Sequence, residues 1–146
     1  MDDLEAIRRL KARYFRCIDT KDWTALRDVF TDDVVMDTRQ TGGEVVEGGD
    51  AYVAYLERVI GTATTVHHGH MPEIDLTSET TATGIWALHD IVTWPDGPRL
   101  DGYGHYHEAY RKVDGAWRIA SSTITRLHTD FTKHPDGRAG AGPEAA

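Results

Sequence analysis

Residues 99–131, RLDGYGHYHEAYRKVDGAWRIASSTITRLHTDF, decide how this chain folds. Two stretches rich in β-branched and aromatic residues, Arg99 to Val113 and Ala116 to Phe131, are joined by Asp114-Gly115. An Asp-Gly pair between two such runs is the strongest short-range hairpin signal, because a type I′ turn needs positive φ at both central residues. In the first stretch Tyr106, Glu108 and Tyr110 share one face, and Tyr103, His105 and His107 the other. Upstream, Thr65 to Leu76 and Thr80 to Trp94 have the same texture. Their connections, Thr77-Ser78-Glu79 and Pro95-Asp96-Gly97-Pro98, read as turns. Strands of ~12–15 residues span roughly 40–50 Å, and sheets that long usually bend at glycines or bulges. Gly84, Gly102 and Gly104 are the candidate bend points.

The first third of the chain has a different period. Leu4, Ile7, Leu10, Tyr14 and Ile18 recur at helical spacing from Asp3 to Thr20, with Arg8, Arg9, Lys11 and Arg13 mostly on the other side. Asp3 is placed to cap the first turn, and Thr20-Lys21-Asp22 interrupts the pattern. A shorter helix follows over Asp22 to Phe30, then a brief strand over Asp33 to Asp37 and a polar Gly-rich loop from Thr41 to Gly49. A third helix covers Asp50 to Ile60. Helices first and an antiparallel meander afterwards make an α+β domain: three N-terminal helices packed on a curved, mainly antiparallel sheet, a cone-shaped barrel with a pocket between the layers. The domain is expected over 1–131, with a disordered Gly/Ala/Pro-rich tail over 132–146.

Composition narrows the function classes. The 146 residues carry 16 Lys+Arg against 24 Asp+Glu, a net charge of −8, with 40% hydrophobic and 27% charged residues. An acidic chain without a clustered basic run is a poor nucleic-acid partner. No apolar stretch reaches the ~18–20 residues of a membrane span, and Met1-Asp2-Asp3-Leu4-Glu5 is acidic where a signal peptide would be basic and then apolar. A cytoplasmic domain is the expectation. Cys17 is the single cysteine, so neither an intrachain disulfide nor a Cys-rich zinc site is available.

The densest polar cluster is Val66-His67-His68-Gly69-His70-Met71-Pro72. Three His in four positions invite a metal, but strand alternation sends His68 and His70 to one face and His67 to the other. Surface histidines suit His68 and His70, and no metal site is assigned. His67 differs because an imidazole near neutrality is the commonest general base, and a carboxylate can fix its tautomer. Asp19 lies at the end of the first helix, where it is either solvated or functional. Asp90 and Arg126 interrupt apolar strand runs, where charges seldom lie buried unless paired or functional. Tyr14, on the apolar stripe, is core by default and otherwise a phenol donor.

The segments Ile7 to Asp19, His67 to Ile74, Thr80 to Asp90, Gly102 to Tyr110 and Asp114 to Ile119, in that order, resemble the SnoaL-like branch of the nuclear transport factor 2-like superfamily. The resemblance covers about Leu4 to Phe131. Dehydratases of this branch pair a His near the start of the first long strand with an Asp late in the first helix, positions that correspond to His67 and Asp19. Bile-acid-type dehydratases are similar at Tyr14, Asp90 and Arg126. The resemblance implies a cofactor-free lyase or isomerase acting on a hydrophobic, cyclic carbonyl compound, with the chain assembled as a homodimer or homotrimer. The rival reading is a non-catalytic ligand-binding or dimeric interaction domain. A metal-dependent enzyme built on the His cluster is a third, weaker one.

Overall fold

The structure is a computed structural model that describes residues 1–132. The expected tail therefore lies outside the described residues, apart from Thr132. Helix α1 spans Asp3–Asp19, α2 Trp23–Arg27 and α3 Gly49–Ile60. The strands are β1 Phe30–Asp37, β2 Val45–Glu47, β3 Thr64–Leu76, β4 Thr81–Thr93, β5 Arg99–Val113 and β6 Ala116–Thr132. They form one open sheet in the order β2-β1-β6-β5-β4-β3. All pairings are antiparallel except β1 with β6, which is parallel. The three helices pack on this sheet as an α+β domain.

The β5–β6 hairpin closes as its sequence demands. Asp114 and Gly115 both have positive φ, 50° and 79°, and Val113 pairs with Ala116. Alternation then sorts the long strands into two faces. The inner face carries Trp86, Leu88, Tyr106, Tyr110, Ile119 and Ile124, all buried against Leu10, Tyr14, Phe30, Tyr52 and Leu56 from beneath. On the outer face His68, His89, Tyr103 and His128 stand directly opposite one another across four strands. Their rings stack in sequence with centroids 5.6, 4.7 and 6.1 Å apart.

Several local expectations are corrected. Asp2, not Asp3, caps α1, its carboxylate accepting from the Glu5 N–H at 2.8 Å. Asp3 instead accepts from Trp117 Nε1. Helix α2 stops early because the Val29 carbonyl accepts from Ile119 N–H, drawing Phe30 into β1 beside β6. The loop from Thr41 to Gly49 contains strand β2 and follows a 3₁₀ turn over Arg39–Thr41; three strand residues are too few to show alternation. Of the three glycines expected at bends, only Gly104 sits at a register shift. Gly84 and Gly102 stay in register on β4 and β5 and are needed for space. A Cβ at Gly84 would lie 2.8 Å from the Tyr110 hydroxyl, and one at Gly102 would strike Asp90 and Arg126. Lys11 is not on the solvent side of α1; it lies four residues after Ile7 and three before Tyr14, on the buried stripe.

Candidate active site

Helix α1 ends where β3 begins to run beside it, and this brings Asp19 to His67. His67 Nδ1 lies 2.7 Å from Asp19 Oδ1, and the His67 backbone N–H donates to Asp19 Oδ2 at 2.9 Å. The Thr65 hydroxyl donates to Oδ1 at 3.0 Å, and Lys21 Nζ donates to the Thr65 oxygen at 2.7 Å. The His67 side chain is 2% exposed and Asp19 23% exposed. The Phe15 ring stacks on the imidazole with 14° between planes. Gly69, two residues along β3, leaves the space that ring occupies, since a Cβ there would lie 2.7 Å from Phe15.

Across the β3–β4 ladder His67 stands opposite Asp90, and Asp90 stands opposite Gly102 on β5. Because Gly102 has no side chain, Arg126 reaches over it from β6. Its Nη1 and Nη2 donate to Asp90 Oδ1 and Oδ2 at 2.7 and 3.1 Å, the two-pronged geometry that suits guanidinium and carboxylate. Nη2 also donates to Thr41 Oγ1 at 2.7 Å. Asp90 is 1% and Arg126 7% exposed, so this is a buried pair.

Of the five expected residues, His67, Asp90 and Arg126 thus lie at one end of the inner face, with Asp19 brought onto His67 from the end of α1. Tyr14 is set apart, packing edge-on against Phe15, Phe30 and Tyr106. Burial, then the neighbouring Tyr52, Tyr106 and Glu108, pushes its phenol well above the ordinary range, so it stays protonated. Beneath it Lys11 Nζ donates to Glu108 Oε2 at 2.8 Å, with Tyr110 and Ser122 also donating to that carboxylate. Sequence reasoning missed Thr65, Lys21, Phe15 and the Lys11–Glu108 pair. Only Lys11 left a signal, a cation on the apolar stripe of a helix. Among the described residues no group of three or more His, Cys, Asp or Glu is arranged to hold a metal ion, and His68 and His70 are exposed.

Residues 1–123 match the family model described as a SnoaL-like domain. The chain belongs to this family. As a SnoaL-like protein it is 27% identical over 138 residues to the "Probable cyclase FGR4" of Gibberella zeae, covering 84% of this chain and 89% of that one. It is 28% identical to a scytalone-dehydratase-like protein of Novosphingobium aromaticivorans, with a TM-score of 0.80 over 94% of this chain and 95% of the other. A hexachlorocyclohexane dehydrochlorinase, LinA type 2, superposes with a TM-score of 0.79 over 95% and 93% at 17% identity, a likeness of fold. Among the described residues of this SnoaL-like chain, no helix is long and apolar enough to cross a membrane.

The state of Asp19 has a consequence for acid stability. Burial pushes its carboxyl up, but the His67 ring and backbone N–H with the Thr65 hydroxyl outweigh this and hold it below its ordinary 3.8. A depressed carboxyl contributes stability that is complete above the unfolded value and lost as pH falls through the folded one. Melting temperatures recorded from about pH 7 down to about pH 2.5 are therefore expected to drop below about pH 4. Asp19→Asn is expected to make that drop shallower; an identical slope in wild type and variant would refute the contribution.

Proposed function

We propose that this protein is a cofactor-free lyase or isomerase of the dehydratase kind, removing a proton beside the carbonyl of a hydrophobic cyclic compound. The contact of His67 Nδ1 with Asp19 carries the reading. A carboxylate has no proton to give, so Nδ1 holds the N–H and Nε2 keeps its lone pair for a substrate C–H. Asp19 fixes that tautomer and stabilises the imidazolium that forms. The leaving hydroxyl departs as water with the proton taken by His67. Tyr14, separated from His67 by the Phe15 ring, donates to the developing oxyanion or to that hydroxyl once the substrate takes the place of Phe15. Asp90 and Arg126 assist proton delivery or anchor a polar substituent. Likeness to proteins named as a cyclase and a scytalone dehydratase supports a small-molecule substrate. The test is turnover of His67→Ala against wild type on an identified substrate. A fall of about 10²–10⁴-fold supports the reading, and less than about threefold overturns it.

One observation favours a second reading, a non-catalytic ligand-binding domain. Aromatic side chains pack under the sheet, and five surface clefts of about 210–480 Å³ are lined by residues other than His67, Asp19, Asp90 and Arg126. Compounds that bind but are returned unchanged would decide for this second reading.

The proposal includes assembly as a homodimer or homotrimer through the outer sheet face. In the row His68, His89, Tyr103, His128 the Tyr103 ring is exposed, as are Val66 and Ile85 beside it, while Asp101 lies 3.8 Å from His89 and Asp130 3.0 Å from His128. Sedimentation velocity is expected to show two or three chains per particle, reduced by Tyr103→Arg. A monomeric wild type would contradict it.

A further inference from the structure

We propose that Lys21 and Thr65 are positioning residues that act through Asp19, forming with it and His67 one directed hydrogen-bond relay. This rests on the catalytic reading of the dyad for its purpose, though not for its test. The relay runs Lys21 Nζ to Thr65 Oγ1 at 2.7 Å, Thr65 Oγ1 to Asp19 Oδ1 at 3.0 Å, and Asp19 Oδ1 to His67 Nδ1 at 2.7 Å. Its direction follows from proton counting. An ammonium only donates, so it occupies an acceptor site of the Thr65 hydroxyl. The single hydroxyl proton is then left to point at the carboxylate. With the His67 backbone N–H on Oδ2, both oxygens of Asp19 are fixed, and the carboxylate plane is set against the imidazole.

A second, independent observation concerns the backbone at Lys21. Helix α1 ends in a Schellman motif: the Asp22 N–H donates to the Cys17 carbonyl at 2.9 Å and the Lys21 N–H to the Ile18 carbonyl at 3.1 Å. Lys21 occupies the left-handed position of that motif with φ 60°. Glycine is the usual occupant, because a Cβ is strained there. The strained residue is half-buried and spends its charged tip on Thr65, not on the helix carbonyls. A side chain kept where glycine would fold more easily points to a role for its tip.

The charged and titratable groups of this layer are few. Asp19 meets His67 from β3 and Lys21 from the turn, while Asp90 on β4, opposite His67, is paired with Arg126 from β6. Lys21 and Thr65 therefore both favour the ionised form of Asp19, which is the form the dyad needs.

The experiment is a ¹³C carboxyl titration of Asp19 by NMR on the full chain. Wild type is compared with Lys21→Gly, Lys21→Arg, Thr65→Val and Thr65→Ser, each also melted. Lys21→Gly and Thr65→Val are expected to raise the Asp19 midpoint by about half a pH unit or more. Lys21→Arg and Thr65→Ser, which keep the donors, are expected to stay near wild type. Lys21→Gly is expected to melt no lower than wild type, since glycine suits the left-handed position, so loss of fold cannot explain its shift. Superposable Asp19 titrations in wild type, Lys21→Gly and Thr65→Val would overturn the relay. No substrate is needed, so a His67→Ala variant that kept its turnover would overturn the catalytic reading and leave this result standing.

Discussion

His67→Ala is expected to lower turnover by about 10²–10⁴-fold, the contribution typical of a positioned general base. The expectation follows from where the ring is held. Its Nδ1 is committed to Asp19 at 2.7 Å, its backbone N–H is tied to the same carboxylate, and Phe15 stacks on its face. The imidazole therefore has one orientation, with Nε2 as the nitrogen left to meet a C–H. A mobile surface histidine could be replaced at little cost; one held in this way cannot. Asp19→Asn is expected to approach the loss of His67→Ala without exceeding it. An amide NH2 in place of either oxygen opposes the His67 backbone N–H or turns the ring to the wrong tautomer, and it supplies no charge against the imidazolium. Steady-state kinetics of both variants on one substrate gives the ranking. Equal turnover in wild type and His67→Ala would refute the role.

The largest effect on stability is expected at Lys11. Its ammonium and the Glu108 carboxylate are 0% exposed and 2.8 Å apart, and the amine also lies 3.5 Å from the centre of the Tyr106 ring and 4.0 Å from that of Tyr14. Burial pulls the Lys11 pKa below its ordinary value, and the Glu108 carboxylate offsets only part of that pull. Lys11→Met removes the cation and leaves Glu108 buried with only Tyr110 and Ser122 as donors. Breaking one side of such a pair costs about 3–5 kcal/mol. For a chain of this size that lowers the melting temperature by roughly 10 °C. Adding Glu108→Gln is expected to recover part of the loss, because the uncompensated charge is gone. Urea unfolding of the single and double variants measures both; a Lys11→Met variant within about 0.5 kcal/mol of wild type would show that the pair is dispensable.

Much of the fold is legible in the sequence because it rests on local signals. The Asp114-Gly115 turn, the alternation of Tyr106, Glu108 and Tyr110, and the helical spacing of Ile7, Leu10 and Tyr14 each act within a few residues. Features that depend on distant partners were not legible. The parallel seat of β1 against β6 and the end of α2 at Arg27 follow from the backbone pairing of Val29 with Ile119. Strand β2 is only Val45–Glu47 and carries no period of its own. For the site, the charges of Asp90 and Arg126 in apolar runs were readable as anomalies. That Gly102 opens the space between them was not, because glycines read as bends and here one serves as a gap. Thr65 and Lys21 gave no signal, since neither a threonine in a strand nor a lysine in a turn is unusual.

Proton abstraction itself is the most direct measurement. Hydrophobic cyclic ketones and β-hydroxy ketones, incubated in D₂O with wild type or His67→Ala, report exchange or elimination at the carbon beside the carbonyl by ¹H NMR. With His67 as the base, wild type accelerates loss of that proton from at least one such compound, and His67→Ala does so at least about 100-fold more slowly. Exchange at equal rates in the two proteins, or a wild type that binds these compounds and leaves every such proton in place, would contradict it.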